Sequence, residues 1–126
     1  MRWLEQAKRD LEDARILLEA GSYASSCFHT QQAAEKALKG FLHANGVRAL
    51  VTHSVLRLTE ESSKFKEEFL GFANAGRELD KHYIASRYPN FYPEGPAYKY
   101  YTREEAEKCV KSATLILNSV EKSLKR

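Results

Sequence analysis

The chain has 126 residues with 43% hydrophobic and 29% charged side chains, which is typical of one soluble globular domain, here residues 1–126. It has no run of about 20 apolar residues, which argues against a membrane-spanning helix, and charges from Arg2 onward argue against a secretory leader. The net charge of +3 is too small to indicate nucleic-acid binding by itself. We therefore expect a cytoplasmic protein with no membrane partner, in which Cys27 and Cys109 are reduced and buried at apolar helical positions.

The first two helices are predicted from apolar residues spaced three and four positions apart, with charged residues between them. The first helix carries such a stripe from Leu4 to Leu18 and ends at Gly21, because glycine favours the backbone conformation that closes a helix. The second helix follows Ser22, a residue type suited to capping, and continues to about position 44, where an Asn-Gly pair stops it.

The second half of the chain predicts three more helices. A short one begins near residues 52–54, a longer one follows an apolar stripe from Phe65 to Tyr83, and the last begins at a capping box formed by Thr102 and Glu105. No alternating pattern indicates a β-strand. The sequence therefore predicts an all-α fold: an up-and-down four-helix bundle plus a short extra helix, with a Tyr/Pro-rich crossover before the last helix.

The crossover, residues 79–101, contains six of the seven tyrosines and all three prolines. It could be a proline-stiffened connection that packs over one end of the bundle, or a working surface that includes Tyr88 and Tyr92, since tyrosine suits interfaces and base stacking. These two interpretations are compatible. So many aromatic side chains exceed what one end of a monomer easily covers, so we predict a symmetric homodimer through the fourth helix and the crossover.

A basic run extends from Lys36 to residue 59 without any Asp or Glu. It contains Lys39, Arg48 and Arg57, and His53 could add to it. A surface of this kind would attract phosphates or an acidic partner. The alternative is an ordinary solvated helix face followed by a loop.

Two polar residues of the second helix lie on its apolar side. On a helical wheel, Gln31 and Glu35 fall among Phe28 and neighbouring leucines, where burying an amide and a carboxylate is costly unless both are paired. If the fourth helix continues past residue 83, Asp80 and Arg87 lie near its apolar stripe. We therefore predict a buried cluster of these four polar residues; the alternative is that Gln31 and Glu35 reach water at a groove edge.

Several motifs, in order along nearly the whole chain, resemble the HEPN domain family. The matching segments are Trp3 with Asp10-Leu11 and Ala14, Gly21-x-Tyr23, CFHTQQAAEKALKG at residues 27–40, Thr52-His53-Ser54, Leu79-Asp80, Tyr83-Ile84 and Ser86-Arg87-Tyr88-Pro89. The resemblance implies a helical bundle that is commonly dimeric and is often encoded beside a minimal nucleotidyltransferase. In such pairs the HEPN protein is typically the toxin and the transferase is its antitoxin.

Nuclease branches of this family share an Arg followed four to six residues later by a His, and two pairs fit this pattern. Arg77 with His82 precedes the crossover as in those branches, whereas Arg48 with His53 does not. Two features weaken the first match: Glu78 stands where a small polar residue is usual, and residues five apart on a regular helix point about 140° apart.

If the nuclease interpretation holds, His82 would move the proton of a ribose hydroxyl or leaving oxygen, and Arg77 would hold the scissile phosphate. We predict no cofactor and no metal. The chain has no Glu-x-x-His pair of the di-iron type, and Cys27 and Cys109 lack zinc-site spacing.

Three functions remain open at this point. In the first, the chain is the HEPN partner of a minimal nucleotidyltransferase and binds nucleotide, RNA or that partner, with contacts from Lys36, Lys39, His53, Arg87, Tyr88 and Tyr92. In the second, it is an active, metal-independent ribonuclease toxin that uses Arg77 and His82. In the third, it is a non-catalytic dimeric adaptor. Whether it is an enzyme, and which nucleotide, RNA or partner it takes, stays open.

Overall fold

The computed structural model describes residues 2–88 and 91–125, so Pro89 of the crossover lies outside the described residues. The described part is all-helical. It contains α1 (Arg2–Glu19), α2 (Tyr23–Ala44), α3 (Val55–Ser63), α4 (Ala73–Asp80), α5 (His82–Ala85) and α6 (Arg103–Leu124), with 3₁₀ segments at Glu67–Phe72 and Ala97–Tyr100. These elements confirm the predicted all-α bundle with a short extra helix. No helix in residues 2–88 or 91–125 combines the length and apolar character needed to cross a membrane.

Helix α2 forms the centre of the bundle, and α1 and α6 pack along it. Small side chains at Ala33, Ala34 and Ala37 are fully buried, which lets the neighbouring helices approach closely. The predicted apolar stripes of α1 and α6 face this centre and are buried as expected. Periodicity alone therefore positioned the three long helices correctly.

Helix ends agree with the sequence at most positions. Gly21 and Gly46 both adopt a positive φ, +83° and +89°, which an L side chain rarely adopts, so each closes the helix before it. The Thr102 hydroxyl accepts a hydrogen bond from the Glu105 backbone N–H at 3.2 Å, which confirms the predicted cap of α6. Ser22 precedes α2, but its side chain makes no capping hydrogen bond.

The predicted long fourth helix is wrong in detail, because the chain is divided into a 3₁₀ segment, α4 and the single turn α5. In a 3₁₀ helix, side chains three residues apart lie on the same side. This geometry suits Phe69 and Phe72, whose ring centroids are 6.2 Å apart, and Phe69 is fully buried against Phe41. Phe65 is left half-exposed outside the core.

Helix α4 crosses α3 at very short range through Gly76. A Cβ atom on Gly76 would lie 2.9 Å from both the Cα and the backbone N of Leu56. Only glycine permits this approach without moving backbone. The contact fixes the last turn of α4, and therefore Asp80, against the first turn of α3.

Candidate functional site

Asp80 caps helix α3 from outside that helix. One oxygen of its carboxylate accepts a hydrogen bond from the Val55 N–H at 2.7 Å, and the other accepts from the Leu56 N–H at 3.1 Å and the Ser54 hydroxyl at 2.9 Å. Backbone N–H groups at a helix start have no partner within the helix and favour negative charge. Asp80 therefore holds the start of α3, and the residues just before it, in one position.

Gln31 connects α2 to this cap. Its side chain is fully buried, and its amide donates to the His53 carbonyl oxygen at 2.7 Å and approaches an Asp80 carboxylate oxygen at 3.5 Å. The Gln31 carbonyl oxygen accepts from the Gln32 amide at 2.8 Å. The structure thus brings Gln31 and Asp80 together, and Gln31 is satisfied by hydrogen bonds rather than by water at a groove edge.

Glu35 pairs with Lys39 and His53, and not with Arg87 as the predicted polar cluster implied. Its carboxylate is buried and lies 3.0 Å from Lys39 Nζ and 3.3 Å from His53 Nδ1. Arg87 forms no ion pair with Glu35 or Asp80 within the described residues. The guanidinium lies instead among aromatic rings, which offer it a flat apolar surface while its outer edge stays in water.

These rings form what we call the stacking face, which consists of Phe28, His53, Tyr83, Arg87 and Tyr88. His53 stacks on Tyr83 with ring centroids 4.9 Å apart and planes 15° apart. The Arg87 guanidinium carbon lies 4.4, 5.1 and 5.5 Å from the ring centroids of Phe28, Tyr83 and Tyr88. Arg87 Nε also donates to the Tyr83 carbonyl oxygen at 3.2 Å, which holds the side chain in place.

The stacking face is accessible. Arg87 and Tyr88 are exposed, and 61% of the His53 side chain is exposed. Arg87 uses Nε internally, so its terminal N–H groups can donate to phosphate oxygens. Aromatic rings beside a fixed arginine can stack on a base. The arrangement suits a nucleotide or single-stranded RNA.

The two predicted basic residues of α2 are engaged in ion pairs and are largely covered. Lys36 Nζ lies 2.6 Å from an Asp10 carboxylate oxygen of α1, and Lys39 pairs with Glu35 on its own helix. Their side chains are only 26% and 19% exposed. The acidic partners lie outside the acid-free run, so folding pairs these two lysines with carboxylates that the run itself lacks.

The other two basic residues of that run are more exposed but also have neighbours. An Arg48 guanidinium nitrogen lies 2.7 Å from His43 Nε2, and Arg57 lies 3.7 Å from a Glu61 carboxylate oxygen one turn along α3. The Arg57–Glu61 ion pair is exposed, and such pairs contribute little stability and are screened by salt. Arg48 and Arg87 are thus both exposed without a carboxylate partner among the described residues, but only Arg87 lies against several aromatic rings.

Arg77 and His82 do not share a surface. Arg77 is exposed on α4 and bonds to Asn74 of its own helix. His82 is buried, with Nδ1 2.7 Å from the Tyr101 hydroxyl oxygen. The helix break at Lys81 between α4 and α5 lets His82 turn into the bundle.

His82 belongs to a group that the sequence did not reveal, which we call the Cys–His cluster. The sulfurs of Cys27 and Cys109 and a ring nitrogen of His82 all lie within 4.8 Å of one another, and all three residues are buried. They come from α2, α6 and α5. The one feature of the sequence that could have indicated this cluster is that both cysteines lie on the apolar sides of predicted helices, which pack on each other in a bundle.

The three residues of the Cys–His cluster shift one another's pKa values. Hydrogen bonds, first from Cys27 and then from His82, outweigh burial and lower the pKa of Cys109 to about 6. The same hydrogen bond with Cys109, together with burial, raises the pKa of Cys27. Burial opposes the imidazolium of His82, but the hydrogen bond and charge of Cys109 outweigh it and raise the pKa of His82. Of the two thiols, Cys109 therefore loses its proton more readily.

A pocket of about 380 Å³ opens onto the Cys–His cluster. Its lining includes Glu78, His82, Glu104, Glu105, Lys108 and Cys109. Three carboxylates against one lysine make this acidic pocket unfavourable for a phosphate and favourable for a cation. The negative charge of this pocket is opposite to the positive charge that Arg87 gives the stacking face.

Tyr92 lies in a separate aromatic group of the crossover. It stacks on Tyr100 with ring centroids 4.2 Å apart and planes 13° apart, and it meets Phe91 edge-on at 5.1 Å. The Tyr100 hydroxyl accepts from the Glu94 backbone N–H at 3.0 Å. Tyr92 therefore orders the crossover rather than joining Tyr88 in the stacking face.

Both the sequence and the fold of this chain have known relatives. The family model for the HEPN domain matches residues 1–123. A protein of Methanocaldococcus jannaschii named "Putative toxin MJ1304" is 34% identical over 132 residues, with 98% of this chain and 86% of that protein covered.

Three solved structures share the fold. The crystal structure of TT1696 from Thermus thermophilus is 43% identical with a TM-score of 0.92, and it covers 98% of this chain and 96% of its own. ST0689, described as an archaeal HEPN homologue, is 40% identical with a TM-score of 0.81 and the same coverage. The HEPN domain protein TM0613 from Thermotoga maritima is 35% identical with a TM-score of 0.80, covering 100% of this chain and 99% of its own.

Proposed function

Because this chain belongs to the HEPN domain family, we propose that it acts as the HEPN partner of a minimal nucleotidyltransferase in a toxin–antitoxin pair, and that its stacking face binds nucleotide or RNA. The similarity to a protein named as a putative toxin supports the toxin side of this assignment. The transferase would be the antitoxin, as the family resemblance implies.

The observation that carries the binding proposal is the position of Arg87. Its guanidinium is fixed by three aromatic rings and by the Tyr83 carbonyl oxygen, yet the residue is exposed. A guanidinium held in this way loses little conformational freedom when it binds a phosphate, so its hydrogen bonds translate into affinity. His53 and Tyr88 lie beside it for contact with a base or sugar.

The ribonuclease alternative has less geometric support. His82 of α5 is buried against Tyr101, and Arg77 is exposed on α4. A phosphate that approached His82 would enter the acidic pocket and meet Glu78 and Glu105. Like charges oppose such an approach.

A homodimer remains part of the proposal. The crossover exposes a group of aromatic side chains, namely Tyr88, Phe91, Tyr98 and Tyr100, between 38% and 70% exposed. Exposed clusters of several aromatic side chains are enriched at protein interfaces. A two-fold axis at the crossover would bring two stacking faces near each other.

Binding is tested with a fluorescein-labelled single-stranded RNA, by anisotropy at several salt concentrations, with ATP as competitor. Arg87→Ala should weaken binding by about tenfold and reduce the slope of log K against log salt by about 1. Arg87→Lys should recover only part of the affinity, since lysine lacks the planar guanidinium. Arg57→Ala is the matched control, because it removes an exposed arginine outside the stacking face.

RNA length after incubation separates the alternatives. Cleavage that disappears in Arg77→Ala would establish the ribonuclease function instead. Absence of binding, together with stable co-purification of the chain with a co-expressed minimal nucleotidyltransferase, would assign the stacking face to that partner. An equal response of Arg87→Ala and Arg57→Ala would contradict the stacking face as the RNA site.

A further inference from the structure

The Cys–His cluster unites both cysteines of the chain with one of its four histidines. Cys27 comes from the buried side of α2, Cys109 from the buried side of α6, and His82 is the first residue of α5. Three distant segments therefore converge on one point. This grouping has no role in the proposed function, which uses the exposed stacking face.

We propose that Cys27, His82 and Cys109 bind a zinc ion whose fourth ligand is supplied from the acidic pocket. Zinc is bound by thiolates at about 2.3 Å and by imidazole at about 2.0 Å, in tetrahedral geometry. Those bond lengths place neighbouring ligand atoms about 3.5–3.8 Å apart. The three donor atoms lie within 4.8 Å of one another. Side-chain rotations that move these atoms by about 1 Å would therefore produce the required spacing.

The surroundings of His82 are those of a metal-binding histidine. Its Nδ1 lies 2.7 Å from the hydroxyl of Tyr101, which is itself buried, and the two rings meet edge-on. A metal-binding histidine usually uses its other nitrogen for a hydrogen bond that fixes the ring. With Tyr101 holding Nδ1, Nε2 is the nitrogen that binds the ion.

Entry and the fourth ligand come from the acidic pocket. His82 and Cys109 form part of its lining, so an ion that enters it meets two ligands directly. Glu78, Glu104 and Glu105 give the pocket a negative charge that attracts a divalent cation. The fourth position is taken by water or by the Glu105 carboxylate, which gives a Cys₂His site with one exchangeable position.

The donor set selects the metal. Two sulfurs and an imidazole favour zinc over magnesium, calcium or manganese, which prefer oxygen ligands. The two cysteines are buried at 0% and 5% exposure, so the ion would be shielded from competing ligands in solution. A bound zinc would join α2, α5 and α6, and it would stabilise the folded chain.

The first test uses the full chain, reduced and stripped of metal with EDTA. After incubation with zinc and gel filtration, elemental analysis should find about one zinc per chain. Titration with cobalt(II) should produce a sulfur-to-cobalt charge-transfer band and the visible bands of a tetrahedral ion. Less than a tenth of an equivalent of zinc, or a cobalt spectrum without the sulfur band, would overturn the proposal.

Variants then identify the ligands. Cys27→Ser, Cys109→Ser and His82→Asn should each weaken zinc binding by more than about 100-fold, since loss of a supporting contact alone costs about 10–100-fold. His43→Asn, which changes an exposed histidine of α2, should bind as the wild type does. Far-UV circular dichroism checks that each variant is folded.

Cysteine protection, thermal unfolding and disulfide formation test the zinc site further. Zinc should protect both cysteines of the wild type from alkylation and should raise its midpoint of thermal unfolding, and neither result depends on a variant. A Cys27–Cys109 disulfide that forms in air and persists at millimolar zinc would show that the cluster is a redox pair and would overturn the metal site. Equal zinc binding by wild type and His82→Asn would remove His82 from the site.

Discussion

The stacking face and the Cys–His cluster are built from adjacent residues, yet they have opposite character. On the single turn α5, His82 is buried among sulfurs beside an acidic pocket, whereas Tyr83, the next residue, supports Arg87 at the surface. One region presents a fixed cation to solvent, and the other presents buried donors to a pocket of negative charge. The comparison teaches that one helical turn can serve two regions of opposite character, and that a His in a motif need not share a surface with its Arg.

Asp80→Ala should have the largest effect on stability and should separate the two regions. The Asp80 carboxylate accepts three hydrogen bonds at the start of α3, and its loss leaves Gln31 without one neighbour. Charged hydrogen bonds and helix caps of this kind are worth about 2–4 kcal/mol together. Urea unfolding should show that loss, and RNA binding should weaken because His53 precedes α3.

The control for that change is Glu78→Ala, which removes an exposed carboxylate two residues away that pairs with Lys81 at the surface. It should leave the urea midpoint nearly unchanged, as surface pairs contribute little. Zinc binding by Asp80→Ala should persist, since the Cys–His cluster does not involve α3. If both regions fail together in the folded variant, they are not separable in the way described.

A second test concerns the buried ion pair beneath the stacking face. Lys39→Met leaves the buried Glu35 carboxylate with His53 as its remaining neighbour and should cost about 2–3 kcal/mol, while the double change Lys39→Met/Glu35→Gln should cost less than the sum of the single changes. We expect a coupling of about 1 kcal/mol or more from urea unfolding.

The same cycle between Glu35→Gln and Arg87→Ala should be nearly additive, because Arg87 lies among rings rather than beside Glu35. This expectation replaces the sequence-based prediction of a shared network between these two residues. Strong coupling between them would show that Arg87 reaches the carboxylate in solution.

A third test addresses the exposed aromatic residues of the crossover. If the homodimer forms there, light scattering at micromolar concentration should give about twice 14.4 kDa. Tyr88→Ser with Tyr98→Ser should shift the protein toward monomer, since both side chains are more than half exposed. Ile16→Ser, which changes an exposed apolar residue of α1, is the matched control and should leave the mass unchanged. A wild type that stays monomeric at high concentration would remove the dimer from the proposed function.

Arg77→Ala should have the smallest effect of all. Its side chain is exposed and bonds only to Asn74 among the contacts of the described residues. We expect unchanged zinc binding, unchanged RNA binding and a thermal midpoint within error of the wild type. Any large change would place Arg77 in a site that neither region contains.

The sequence predicted the helices whose apolar residues repeat over several turns, which is why α1, α2 and α6 agree with it. It failed between residues 65 and 83, since an apolar spacing of three fits a 3₁₀ segment as well as an α-helix. The polar cluster was predicted through the cost of burying Gln31 and Glu35, and that argument located a real network of hydrogen bonds. It could not choose the partners, because Lys39 and His53 compete with Arg87 and only the folded chain decides.

The Cys–His cluster could not be predicted from spacing, because its members are far apart in the chain and each reads as an ordinary buried position. Cys27 and Cys109 occupy apolar stripes, and His82 reads as a polar residue near a helix end. The lysines of the basic run show the complementary limit. Lys36 and Lys39 pair with Asp10 and Glu35, which lie outside the acid-free stretch in sequence and beside it in space.

Gly76 sets a rule for mutational tolerance. In a library that varies every codon, position 76 should accept almost no replacement, because even a methyl group would meet the Leu56 backbone at 2.9 Å. Gly71, only five residues earlier, has open space around its Cα and should accept most side chains. Two glycines that look alike in the sequence would thus give opposite deep-mutagenesis profiles.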